Sequence, residues 1–130
     1  MDKLLIGDFE GPLDLLLHLI KKNKMEIFDI EISVITRQYI DFIREMKDKN
    51  LDVASEYLVM AAELIELKSK KLVPGVKEET NDEYISSEEE LKRRLLEYQK
   101  YKESMNTFRS LEEKRNNYFT KAPESIREYS

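Results

Sequence analysis

Helical periodicity, a scarcity of turn residues and a high charge content together predict an all-α protein. The expected architecture is a small N-terminal helical bundle followed by an acidic linker and a long helix. Apolar residues recur every three to four positions through four stretches, about 12–22, 33–48, 53–72 and from 87 onward. Only 3 Gly and 3 Pro are present, too few for an architecture built on frequent β-turns. The charged fraction, 38%, exceeds the roughly 25% of ordinary globular domains and suits a thin helical domain with much surface. At 130 residues the chain holds one domain and at most an appendage.

Each element follows from local chemistry. Residues 3–9 alternate weakly and read as a short extended arm. The first helix is expected from Pro12 to Lys22, with Pro at the position whose N–H would be unpaired anyway. Asp14 complements the positive helix start, and Asn23 closes the end. Leu13, Leu15, Leu16, Leu17, Leu19 and Ile20 cover all but a narrow stripe, so this helix must be wedged among others. Met25, Ile27, Phe28, Ile30 and Ile32 form a connector expected to plug the base of the domain. The second helix, about Ser33 to Asp48, carries its core stripe on Ile32, Ile35, Tyr39, Phe42, Ile43 and Met46.

Asp52 is a good N-cap for a third helix over 53–72. Val53, Tyr57, Met60, Leu64 and Leu67 form one apolar seam, and Ala54, Leu58, Ala61, Ile65 and Leu72 form a second beside it. With Ala62 they span roughly 220° of the circumference, about twice the stripe of a surface helix. One seam suffices to pack on two neighbouring helices, so the second calls for a partner. Tyr57, Leu58, Met60, Leu64, Ile65 and Leu67 are therefore the candidate interface residues. Val73-Pro74-Gly75 stops this helix. Residues 75–86 read as an acidic linker, and Ser87-Glu88-Glu89-Glu90 as a capping box opening the fourth helix. That helix is expected to reach about Tyr118 and to end by Ala122-Pro123. Its narrow stripe of Leu91, Leu95, Tyr98, Tyr101 and Phe108 suits docking, onto a partner or back onto the first domain.

Several function classes are excluded by composition. There is no Cys, hence no disulfide or thiolate metal site, as suits a reducing cytoplasm. The first apolar stretch is too short for a signal peptide, and the leucine helix falls below the roughly 18–20 apolar residues that span a bilayer. A net charge of −5 disfavours duplex DNA. The basic clusters Lys21-Lys22-Lys24 and Lys68-Lys70-Lys71 sit near helix C-termini, where cations complement the dipole regardless of function. His18 is the only histidine and lies on a polar stripe, without a second ligand at metal-binding spacing. The acidic run from Glu78 to Glu90 lacks the glycine turn of a calcium loop. Gly11-Pro12 cannot form a phosphate cradle. No catalysis, cofactor or metal is expected.

The run FEGPLDLLLHLIKKNKMEIFDIEISVITRQYI, from Phe9 to Ile40, resembles the bacterial kleisin family of segregation and condensation protein A. A second matching run is ASEYLVMAAEL, from Ala54 to Leu64, continuing through Lys68-Ser69-Lys70-Lys71-Leu72-Val73-Pro74. A looser likeness covers Leu91 to Lys102. The resemblance implies a non-catalytic subunit of a condensin-like complex of structural-maintenance-of-chromosomes (SMC) proteins, acting in chromosome condensation and segregation. Residues 1–74 would bind the coiled-coil neck of one SMC protein. Residues 87–130 would begin the central segment that runs along a dimer of segregation and condensation protein B (ScpB). DNA would be held only indirectly, no membrane is involved, and the location would be cytoplasmic and nucleoid-associated. A winged-helix domain capping the other SMC head is expected in the family. The chain ends at Ser130 before one, so a truncated piece that cannot close a ring alone is expected. The alternative is a helical adaptor that self-associates through a coiled coil, without a chromosomal role.

Overall fold

A leucine-dense helix needs neighbours, and two capped turns supply them. The structure is a computed structural model that describes the backbone at residues 4–72 and 78–129 and the side chains at 4–70 and 87–118. A 3₁₀ turn at Ile6–Asp8 precedes α1 (Pro12–Lys22), α2 (Ile32–Asp48), α3 (Ser55–Leu72) and α4 (Glu78–Tyr129). The protein is all-α; among the described residues the sole β feature is an isolated bridge between Glu26 and Asp29. The N-terminal stretch is thus a turn and not an extended arm, with the Leu5 N–H donating to the Asp8 carboxylate at 2.7 Å.

Both α1 and α2 end in the same way. The residue after each C-cap, Lys24 or Asn50, takes a positive φ of 56° or 59°. The next N–H then reaches back: Met25 to the Ile20 carbonyl at 3.0 Å, and Leu51 to the Met46 carbonyl at 2.9 Å. These reversals satisfy carbonyls that a helix end leaves bare and turn the chain back on itself. The Asn23 side chain donates to the Leu19 carbonyl at 2.7 Å and exchanges two hydrogen bonds with Gln38, at 2.6 and 3.0 Å. It closes α1 and ties that end to α2.

The chain divides into two units, Met1–Tyr98 and Gln99–Ser130. In the first, one core joins Leu15, Leu16 and Ile20 of α1 to Ile35, Tyr39 and Ile43 of α2 and to Tyr57, Met60 and Leu64 of α3. Ile27, Ile30 and Ile32 plug the base as expected, but Phe28 points outward with 71% of its surface exposed. The Glu26–Asp29 bridge leaves Ile27 and Phe28 at the tip of a tight turn, where Ile27 is buried and Phe28 is exposed. The second unit is the C-terminal part of α4, whose side chains from Tyr101 to Tyr118 are exposed but for half-buried Lys102 and Met105.

Three boundaries differ from the sequence reading. Helix α3 starts at Ser55, and the Tyr57 N–H bonds to the Ala54 carbonyl at 3.0 Å, so Asp52 is not its cap. Helix α4 starts at Glu78 and takes in most of the segment read as a linker. Glu and Asp are scarce in apolar contacts, yet they favour a helix start electrostatically, and Glu is a good helix former. The same helix continues past Ala122-Pro123 to Tyr129, since a proline removes one donor without obliging a helix to stop. The stop at Val73-Pro74-Gly75 lies outside the described residues; α3 ends at Leu72 beside it.

Tyr39 is fully buried, and its hydroxyl donates to the Tyr57 carbonyl at 2.8 Å, joining α2 to α3. Burial, then the neighbouring Tyr57, Glu56 and Glu63, raises its pKa well above the ordinary 10.0. The folded state therefore holds this proton more tightly than the unfolded chain does. Stability is complete below pH about 10 and falls as pH rises beyond it. Tyr39→Phe should cost about 1 kcal/mol at neutral pH and flatten part of the alkaline loss, as urea midpoints at neutral and alkaline pH would show. Lys24→Gly should stabilise by up to about 1 kcal/mol, because glycine adopts positive φ without steric cost; the same urea titration reads it.

Candidate functional site

Helix α3 decides which residues remain available to a partner. Tyr57, Met60, Leu64 and Leu67 fall on one side at helical spacing and are buried, Leu64 completely at 0% exposure. Leu58 and Ile65, seven residues apart, lie on another side with 41% and 49% exposed. Ala54 and Ala62 are exposed with them and complete a smooth apolar seam. Of the six candidates read from sequence, four thus belong to the chain's own interior. A side chain with no exposed surface cannot meet a partner unless the domain opens. Val59, 58% exposed, falls outside both seams read from the sequence. Its apolar character among Ser55, Glu56, Glu63 and Glu66 was the available signal.

The candidates on α4 divide as well. Leu91 and Leu95 are buried in the core of the first unit. Polar contacts accompany them: Arg94 donates to the Glu63 carboxylate at 2.9 Å, Tyr98 to Glu10 at 2.8 Å, and Lys92 to the Phe28 carbonyl at 3.1 Å. The Glu63–Arg94 pair lines two open clefts. One, of about 390 Å³, runs between Leu67, Lys70, Ser87 and Leu91. The other, of about 400 Å³, has Pro12, Leu13, Val59, Met60 and Tyr98 on its walls. Tyr101 and Phe108 do not join this core; both are exposed, and Leu111 is exposed with them. The sequence reading did not include Leu111, which falls three residues after Phe108.

Among the described residues no group of three or more His, Cys, Asp or Glu side chains could hold a metal ion. The His18 ring packs against Phe9 with centroids 5.4 Å apart. No helix among the described residues is long and apolar enough to cross a membrane. On the surface of α4, Arg93 pairs with both Glu90 and Glu97. Its hydrogen bond holds the Glu90 carboxyl below the usual range, and the same carboxylates hold the guanidinium above its own. This network supports the helix locally.

Residues 19–130 match the family model of segregation and condensation protein ScpA. The chain belongs to the segregation and condensation protein A family. It is 47% identical over 130 residues to segregation and condensation protein A of Bacillus pumilus, covering 96% of this chain and 52% of that protein. Identity to the Bacillus subtilis protein is 46% over 129 residues, covering 96% and 51%. For Clostridium acetobutylicum it is 48% over 122 residues, covering 93% and 49%. The chain therefore spans about half the length of these relatives. Both apolar surfaces, on α3 and on α4, lie inside the region that the family model matches.

Charged substitutions should separate the two sides of α3. Leu64→Asp and Tyr57→Asp should unfold the first unit, since a buried unpaired charge typically costs several kcal/mol. Leu58→Asp and Ile65→Asp should keep the far-ultraviolet circular dichroism and lower the melting temperature little.

Proposed function

We propose that this chain is the N-terminal and central part of a non-catalytic kleisin subunit in a bacterial condensin-like SMC complex. It would act in chromosome condensation and segregation, in the cytoplasm on the nucleoid. Family membership supports the setting, and one structural observation carries the mechanism. Leu58 and Ile65 stand exposed on α3 even though the core row of the same helix is fully covered. Burying the part of such a side chain that is still exposed gains roughly 0.7–1.5 kcal/mol. A two-stranded coiled coil, as in an SMC neck, can accept a further helix along a smooth apolar seam and become a local bundle. The first unit supplies that helix already folded, so little ordering entropy opposes docking.

The exposed Tyr101, Phe108 and Leu111 of α4 suit a second partner, and ScpB is the occupant that the family setting supports. The subunit then works by joining proteins. ATP hydrolysis belongs to the SMC heads, DNA is engaged through the assembled complex, and this chain sets which subunits are neighbours. A self-associating adaptor would instead use the α4 surface for a second copy of the chain.

Binding assays against SMC head-plus-neck and against ScpB test this division. Leu58→Glu/Ile65→Glu should weaken neck binding at least about tenfold and leave ScpB binding unchanged, the loss expected for central apolar anchors. Tyr101→Asp/Phe108→Asp should do the reverse. If each double variant bound both proteins at full strength, the proposal would be wrong; concentration-dependent self-association in place of ScpB binding would favour the adaptor.

A further inference from the structure

The carboxylates of α3 lie along one flank of its outer face. Glu56, Val59, Glu63 and Glu66 recur at three and four residues and so share a side of the helix. Leu58 and Ile65 stand on the other flank, seven residues or about 10.5 Å apart. A coiled coil repeats its own apolar positions at the same interval. The seam alone therefore fits a coiled-coil partner in registers one heptad apart, and in either direction. Choosing among them takes a contact beside the seam.

The acidic flank opens into the cleft of about 400 Å³ between α1, α3 and α4. Pro12, Leu13, Val59 and Met60 make its walls apolar, and Val59, 58% exposed, belongs both to the cleft and to the outer face of α3. Its charged groups are Glu10, Asp14, Glu56 and Glu63 against one cation, Arg94. Tyr98 engages Glu10 at 2.8 Å and Arg94 engages Glu63 at 2.9 Å. Asp14, 4% exposed, accepts the Glu10 N–H at 3.1 Å. Glu56 is exposed and has no hydrogen bond or ion pair among the described residues. We propose that this cleft receives one lysine or arginine side chain of the SMC neck helix that docks on Leu58 and Ile65, and that the contact sets the register and direction of docking. The inference rests on the SMC reading above and adds how the site recognises its partner. The aliphatic stem of such a side chain lies against Leu13 and Val59 while its charged head stays among the carboxylates. The cleft flanks the N-terminal half of α3 on one side only. A neck helix that is shifted by a heptad or reversed brings a different side chain to it, and an acidic one is repelled.

The test titrates the full chain with SMC head-plus-neck at about 0.05 and 0.5 M salt. Glu56→Lys reverses the unpaired carboxylate, and Val59→Lys supplies the cleft with a cation of its own. Asp41→Lys, at an exposed position of α2, makes the same charge change as Glu56→Lys away from the cleft. Both cleft variants should keep their circular dichroism and weaken binding about tenfold at the lower salt, less at the higher. Asp41→Lys should stay within about twofold of the parent chain. The chain has no Cys, so Ser69→Cys, exposed on the outer face of α3, gives a single thiol to crosslink with cysteines placed one at a time along the neck. The parent should react at one neck position, and addition of Glu56→Lys should spread the reaction to positions a heptad away. Full-strength binding by both cleft variants, or an equal loss with Asp41→Lys, overturns the cleft contact. Weaker binding with crosslinking still confined to one position overturns its control of register. A parent chain that does not bind SMC, or binding indifferent to Leu58→Glu/Ile65→Glu, overturns the underlying reading and the role of the cleft with it.

Discussion

Helix α3 carries apolar residues on more of its circumference than the rest of the chain can cover, and the architecture follows from how that surface is divided. The row Tyr57, Met60, Leu64 and Leu67 is taken by α1 and α2. The flank at Glu63 is met by Arg94 of α4. The seam at Leu58 and Ile65 is left open. A helix serving one layer needs a single stripe and turns the rest to water. One that serves three layers loses amphipathicity and depends on its neighbours for stability. The same property that makes α3 the centre of the first unit leaves its outer seam exposed.

Local devices hold the centre in place. The paired reversals at Lys24 and Asn50 bring α1, α2 and α3 back against one another without glycine. The buried hydroxyl of Tyr39 then fixes α2 along α3 through a backbone carbonyl. Side chains that must point inward to complete a hydrogen bond limit how the helices can slide. Helices that cannot slide keep their outer surfaces preformed, and a preformed surface spends less of any binding energy on ordering.

Helix α4 is held differently. Arg93 bridges Glu90 and Glu97, and Lys92 lies near Glu88 and Glu89, all at helical spacing of three or four residues. Such pairs support a helix from within and need no core beneath it. A helix that carries its own support can present a thin apolar stripe, engage it over part of its length and keep the remainder exposed.

The amino-acid pattern by itself determined the helical class, the bounds of α1, the core stripe of α2 and the family, because each depends on neighbours in sequence. Pro12, the leucine run and Asn23 specify α1 through local sterics and capping. The three-to-four repeat from Ile32 to Met46 specifies the buried side of α2. Tertiary structure alone decided the division of α3, since two adjacent apolar seams are told apart by what lies against them. It also placed Leu91 and Leu95 in the core while leaving Tyr101 and Phe108 outside. A periodic stripe states that a surface is apolar; which part of it is covered depends on contacts between residues far apart in the chain.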